Sequence, residues 1–449
     1  MSNKKQMDML HGSLMDKILV FALPLAASSI LQQLFNSADV AVAGKFAGPD
    51  ALAAVGGNSA VINLLVNLFV GMSVGANVVI ANYIGQKRLD QVKEAVHTVI
   101  TLALLSGIFL LFLGNFIARP ILVLIDTPSD VLELAVIYLK IYFIGMPFVM
   151  VYNFGSAILR SIGDTQKALY CLIISGVINV ALNLLLVIVF HLSVVGVAIA
   201  TVVANAISAG MILYFLTHGE ETIRVNLKKL TLKKEQLWKI LGIGVPAGLQ
   251  SVVFSLSNVC IQSAINGFGK HAVAGSAAAL NYEYFTYFVT SAFTHAAVTF
   301  TSQNYAAKQY DRCKKVFRYS LLLGVFITGM MCVVFIVGRT FFISIYTDDA
   351  QAVQYAMIRL MHVELLEFMP CLYEVSGGAL RGMGYSMLPA ILTVFGSCGL
   401  RIAWIYTVFK KYTDFAMLMN VYPFTWIVTT ILVLGAYFLI RRRVFRRSV

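Results

Sequence analysis

The chain has 449 residues, of which 59% are hydrophobic and only 12% charged, with a net charge of +13. A soluble domain carries about 25% charged residues, so a water-soluble enzyme is excluded, and the length suits about twelve membrane helices of ~20 residues. The basic excess does not read as a nucleic-acid surface, because the lysines and arginines sit in short polar segments between apolar runs. In chain order the apolar stretches cover 18–44, 52–83, 92–115, 131–157, 166–190 and 193–217, then 238–266, 273–305, 315–338, 352–380, 386–409 and 415–440. Helices are predicted throughout, since outer-membrane strands would be ~10-residue alternating segments. Several stretches exceed ~20 residues, which implies tilt or extension into a cavity or the headgroup layer. The first is too long for a signal peptide and is expected as a retained span.

The longest hydrophilic break, His218 to Glu235, lies near the midpoint and carries Arg224, Lys228, Lys229, Lys233 and Lys234. It predicts an N-terminal six-helix lobe over 1–217, a linker over 218–236 and a C-terminal six-helix lobe over 237–449. Basic residues outnumber their counterparts on the opposite side by about four to one. The rich side holds Lys4, Lys5 and Lys17, Lys87, Arg88 and Lys93, Arg160 and Lys167, the linker, Lys308 to Arg318, Arg381, and the tail Arg441 to Arg447; the poor side holds Lys45, Arg119, Lys270, Arg339, Lys410 and Lys411. The positive-inside rule then makes both termini cytoplasmic, in a multi-pass protein of the inner (cytoplasmic) membrane. The six cysteines show no CxxC spacing and are expected as core thiols.

The two halves repeat at an offset of about 221–222 residues. SAILRSIGDT (156–165) aligns with GGALRGMGYS (377–386), NYIGQKRLDQVK (82–93) with NYAAKQYDRCK (304–314), and LPLAAS (23–28) with VPAGLQ (245–250). Six spans per half is an even number, so the repeats are parallel. Transporters built this way place substrate between the repeats and alternate access by rocking them.

An acid inside a span costs roughly 2.5–3.5 kcal/mol on insertion scales, so Asp39 is a functional candidate. Gln32, Asn36 and Asp39 share one helix face by their i, i+4, i+7 spacing, as do Asn179 with Asn183, and Thr201 with Asn205 and Ser208. Three polar stripes in one lobe point to an internal pocket, where Asp39 takes a proton, or ligates Na⁺ with amide and hydroxyl oxygens. Helix–helix adhesion is the competing role for these polar groups. Pro24 and Pro246 open the first and seventh spans as hinges or as static kinks. In the second half the acids are Glu283, Glu364, Glu367 and Glu374, with Arg401 a candidate partner for one of them. Tyr282, Glu283, Tyr284 and Tyr287 group aromatics with an acid, which suits a lipophilic cation. Lys140 and Arg359 are expected to snorkel outward. No HExxH, nucleophile elbow or P-loop is present, so neither catalysis nor direct ATP use is expected.

These segments together resemble the multidrug and toxic compound extrusion (MATE) family over essentially the whole chain, most closely its bacterial DinF-like branch. The carrying stretches include LPLAASSILQQLFNSADVAVAGKFAG, SGVINVALNLLLV, GVAIATVVAN, GVPAGLQSVVFSLSNV and CGLRIAWIYTVF. The resemblance implies an all-α fold of twelve transmembrane helices in two pseudo-symmetric six-helix bundles around a central cleft. It implies secondary active antiport of bulky, often cationic drugs and toxins against H⁺ or Na⁺. Asp39 matches the family's first-helix aspartate, Asn179 and Thr201 match polar positions of the same site, and Pro24 matches the bending proline. Asn183 stands where many relatives have a second acid, and Phe254 and Ser255 occupy the region of another branch's seventh-helix glutamate. With a single carboxylate a proton is favoured, because Na⁺ asks for more hard oxygen ligands; Na⁺ at Asp39 stays as the alternative. The expected substrate contacts are Gln32, Gln33, Asn36, Asn153, Tyr282, Glu283, Tyr287 and Glu374. No cofactor or resident metal is expected, and the expected partners are small organic cations and membrane lipid, with the protein a monomer. A lipid-linked precursor flippase of a related exporter superfamily is the alternative function.

Overall fold

The computed structural model describes residues 7–125 and 127–446, without the side chains of Ala60 and Arg446. Lys4, Lys5 and Arg447 of the basic set therefore lie outside the described residues. The chain is all-helical, with no strand among the described residues. The first half consists of α1 (Met15–Ala47), α2 (Pro49–Gly85), α3 (Leu89–Leu124), α4 (Ser129–Ile144 and Met146–Ser161), α5 (Gln166–Val189) and α6 (Ser193–His218). The second consists of α7 (Lys234–Asn266), α8 (Lys270–Ala306), α9 (Tyr310–Val337), α10 (Ala350–His362 and Pro370–Gly382), α11 (Met387–Phe409) and α12 (Phe415–Phe445).

Among the described residues nine of these helices are long and apolar enough to cross a membrane, and the two parts of α4, bent by 48°, make a tenth span. The two remaining, α8 and α10, carry Glu283, Arg359, Glu364, Glu367 and Glu374, which lower their apolar content. Both broken spans resume at a Met-Pro step, Met146-Pro147 and Met369-Pro370. Proline lacks the N–H that a continuing helix would use, but is tolerated in a first turn. Large apolar side chains such as Phe116 (82% exposed) and Val337 (77% exposed) point out of the helices. Surface of that kind is costly in water and suits lipid.

The internal repeat is visible in the backbone. Left-handed residues recur at an interval of 221: Gly48 and Gly269, Lys87 and Lys308, Gly163 and Gly384. Each pair ends or begins equivalent helices, so the same turns are built twice. Of the cysteines, Cys260 is exposed and the other five are buried.

The chain groups into two compact units that do not divide where the repeat divides. One holds Ala27–Gly248; the other holds Asp8–Ala26 and the chain from Leu249 onward. The beginning of α7 thus belongs with the first half's helices, and the beginning of α1 with the second half's. Glycines explain the first assignment. A Cβ at Gly71 would lie 2.3 Å from Gly248 Cα, and one at Gly75 would lie 2.2 Å from Ile240 O. Only glycine admits such close backbone approach between α2 and α7. The linker is tied to the same unit, where the Asn226 N–H donates to His97 Nε2 at 3.0 Å and the Lys233 N–H to Thr98 Oγ1 at 3.2 Å. The segment before α1 is tied to the other unit, where Arg312 donates to the carbonyls of Met9, His11 and Gly12 at 3.1, 2.9 and 3.0 Å.

Candidate functional site

Three helices of the first unit converge on Asp39, which is 6% exposed. Asn183 Nδ2 of α5 donates to Asp39 Oδ1 at 2.5 Å, and Thr201 Oγ1 of α6 lies 3.2 Å from Oδ2. Asn183 Nδ2 also donates to Asn179 Oδ1 at 3.3 Å, so the i, i+4 pair on α5 is joined into one chain of hydrogen bonds. The Asn183 Oδ1 atom is buried without a hydrogen-bond partner. Asp39 makes no ion pair among the described residues, so its carboxyl group is held by neutral groups. Both α1 and α5 pass into a π-helical turn close by, at Ala43–Ala47 and Leu185–Val189. Such turns disturb the regular hydrogen-bond ladder and concentrate at functional sites.

The other members of the α1 stripe are set apart from this cluster. Gln32 and Asn36 are exposed and Gln33 is half-buried, while Phe35 fills the space beside Gly176 of α5. Asn153 is half-buried and donates to the Val149 carbonyl of its own helix at 2.8 Å. Pro24 is half-buried and Pro246 buried, each inside an unbroken helix. Two tyrosines of α4 that the sequence reading passed over, Tyr138 and Tyr142, stand within electrostatic reach of Asp39. Their rings stack on each other with centroids 6.1 Å apart. Their i, i+4 spacing in a fourth span was the available clue.

The second unit buries a separate set of charges. Arg359 is 2% exposed and grips Glu283 with two parallel hydrogen bonds, at 2.6 Å from Nε and 2.8 Å from Nη2. Its Nη1 donates to Ser276 Oγ at 2.5 Å. The expectation that Arg359 snorkels outward is therefore corrected: its charge is matched inside the protein by the carboxylate of Glu283 through a forked, two-bond contact. Lys140, by contrast, is exposed. Arg401 forms no ion pair with a glutamate among the described residues. It donates to Asn258 Oδ1 at 3.0 Å and lies over the rings of Phe254 and Tyr422, 5.2 and 4.7 Å from their centroids. Tyr282 is buried, donates to the Phe342 carbonyl at 2.7 Å and packs among Phe335, Phe342 and Tyr346. Tyr284 and Tyr287 are the exposed members of that group. Glu374 lies 4.0 Å from Arg381, which also donates to Gln250 Oε1 at 2.7 Å.

The MatE family model matches residues 24–185 and again 246–407. The two matches start 222 residues apart, the interval of the internal repeat. The chain is 26% identical over 430 residues to the "Probable multidrug resistance protein YoeA" of Bacillus subtilis, covering 93% of this chain and 92% of that protein. It is 25% identical over 386 residues to the "Probable multidrug resistance protein NorM" of Thermotoga maritima, covering 84% and 82%. Among solved structures, an outward-facing multidrug resistance MATE family transporter of the MOP superfamily superposes with a TM-score of 0.89 at 20% identity, covering 100% of this chain and 99% of that one. That likeness supports the fold. The double match, which spans more than half of the sequence, places the chain in the MatE family of multidrug and toxic compound extrusion transporters, which are not enzymes.

Proposed function

We propose that this transporter is a secondary active antiporter that exports bulky, often cationic organic compounds in exchange for a proton. The observation that carries the reading is Asp39, a buried carboxyl group held only by neutral partners. Coupling requires a site whose charge changes during the cycle. An isolated intramembrane acid meets that need, because a proton cancels its charge without any ligand shell. A hard cation asks for several oxygens aimed at one point. Here Asn183 turns its Nδ2 donor toward Asp39, which favours H⁺ over Na⁺. Asn179, Asn183 and Thr201 would hold the carboxylate when it is ionised.

The exposed Gln32 and Asn36, together with Gln33, Asn153, Tyr287 and Glu374, are the proposed substrate contacts. Alternating access would use Pro24 and Pro246 as hinges. The asymmetry of lysine and arginine favours a cytoplasmic-membrane protein with both termini inside and a six-helix lobe on each side of the 218–236 linker. A monomer suffices, since each lobe supplies its own six spans.

The test is dye transport in proteoliposomes with pH and Na⁺ gradients imposed separately. A pH gradient alone should drive uptake, and Asp39→Asn should abolish it while the protein is still made and inserted. Wild-type rates in Asp39→Asn would remove the proposed role of Asp39, and transport driven by Na⁺ alone would replace the proton.

A further inference from the structure

The linker between α6 and α7 is held in one position. Ile223 and Val225 are buried beneath it. The Val225 N–H donates to the Leu216 carbonyl of α6 at 2.9 Å, and Thr101 Oγ1 of α3 donates to the Thr231 carbonyl at 3.3 Å. With the bonds from Asn226 and Lys233, these give the segment a fixed outer side. That side repeats one pattern, Leu227-Lys228-Lys229 and then Leu232-Lys233-Lys234, followed by Trp238 in the first turns of α7. Each of these side chains is exposed. Leu227–Lys229 is a 3₁₀ turn capped by Asn226, whose Oδ1 accepts from the Lys228 N–H at 3.0 Å.

Positive charge is in excess here. Between 224 and 239 six cations stand against one acid. Three neighbouring acids are already taken, Glu221 by Lys93, Glu94 by Lys233 and Glu235 by Lys239, at 3.9, 4.0 and 2.6 Å. Lys228, Lys229 and Lys234 form no ion pair among the described residues. Aromatic side chains mark the depth of this surface. Tyr170 lies four residues inside the start of α5, Tyr214 four inside the end of α6, and Trp238 four inside the start of α7. All three are exposed. Four residues of helix span about 6 Å. Tyrosine and tryptophan settle where hydrocarbon gives way to headgroups. A belt at that level puts the linker, just beyond those helix ends, in the headgroup layer itself. Leucines dip from that layer toward the acyl chains, while lysine ammonium groups reach the phosphates.

We infer that the linker is a docking surface for anionic phospholipids, with Lys228, Lys229 and Lys234 on the headgroup phosphates and Leu227, Leu232 and Trp238 against the upper acyl chains. A free phosphate or a nucleic acid would match the lysines but leave the leucines and Trp238 in water. The inference goes beyond the antiport reading and does not depend on which ion drives transport.

Trp238, Trp404 and Trp426 are the three tryptophans of the chain, so Trp404→Phe with Trp426→Phe makes Trp238 the sole emitter. The full-length protein is reconstituted in phosphatidylcholine vesicles containing rising fractions of phosphatidylglycerol or phosphatidylcholine with brominated acyl chains, which quench a tryptophan they touch. Quenching of Trp238 should show a preference for phosphatidylglycerol of about fivefold or more, the effect of a single lysine near an anionic surface. The preference should vanish when Lys228→Gln, Lys229→Gln and Lys234→Gln are combined, and shrink in high salt. It should survive Lys410→Gln with Lys411→Gln, two exposed lysines assigned to the opposite side. Equal quenching by both lipids, a preference kept in the triple variant, or no quenching by either lipid overturns the surface. So does a preference removed by inorganic phosphate but not by chloride of equal ionic strength, which assigns the lysines to a free anion. If the phenylalanine variants do not fold, native mass spectrometry of the chain with its own tryptophans counts the phosphatidylglycerol molecules retained. The triple glutamine variant should retain fewer; an equal number is just as fatal.

Discussion

At the scale of single residues, burial and partnership decide what each charge does. Asp39 and Glu283 are about equally buried, at 6% and 5% exposed, yet their roles diverge. Glu283 faces a forked guanidinium and forms an ion pair, whereas Asp39 faces only an amide and a hydroxyl, the neutral setting on which its proposed coupling role rests. Removing one member of a buried pair strands the other, at a cost of about 3–5 kcal/mol. Arg359→Gln should therefore lower the stability of the detergent-solubilised protein by about 3 kcal/mol, read as a fall in Tm. Adding Glu283→Gln should restore part of it, because two neutral amides no longer leave a lone charge inside. A Tm unaffected by Arg359→Gln would mean that the pair contributes nothing to the fold. The spacing of Asn179 and Asn183 announced a shared face, but the orientation of that face toward Asp39 comes from how α1, α5 and α6 pack.

At the scale of helices, two devices shape the molecule: proline breaks and glycine seams. The Met-Pro steps in α4 and α10 are readable in the sequence, but the breaks were not anticipated. The apolar stretches 131–157 and 352–380 look continuous, and a single proline is compatible with either a kink or a fresh start. The structure resolves this with a 48° bend in α4 and a 3₁₀ turn in α10. The seam of Gly71 and Gly75 against Gly244 and Gly248 is equally plain as two G-x-x-x-G spacings. What the spacing cannot say is that the two face each other. Because Ile240 O would lie 2.2 Å from a Cβ at position 75, any larger side chain must push the backbones apart. Gly75→Leu is expected to destabilise the protein by about 3 kcal/mol, with a lower Tm and a chain more readily cut in the 218–236 linker. Gly56→Ala, where nothing lies within 4 Å of the added Cβ, serves as the neutral comparison.

At the scale of the whole molecule, the repeat and the compact units are different divisions of the same chain. The repeat divides at the linker, whereas the units divide inside α1 and α7, between Ala26 and Ala27 and between Gly248 and Leu249. Each crossing lies two residues beyond a proline, Pro24 or Pro246. A helix that belongs to one unit before a proline and to another after it is placed to bend there if the units move. Pro24→Ala and Pro246→Ala are expected to leave the protein folded and inserted but to slow transport severalfold, measured as initial dye flux in proteoliposomes. Unchanged flux in both would make these prolines static kinks. Length and composition alone determined that this is a polytopic helical membrane protein, because 12% charge over 449 residues cannot solvate a soluble surface. The sequence also determined the repeat and the acid at position 39, since periodicity and a lone intramembrane charge are local properties. Only the tertiary structure decided that Asn183 and Thr201 reach Asp39, that Arg359 turns inward to Glu283, and that the units exchange the first parts of α1 and α7. The physical reason is that these are contacts between helices far apart in the chain, and helical spacing fixes only which face a residue occupies, not what that face meets.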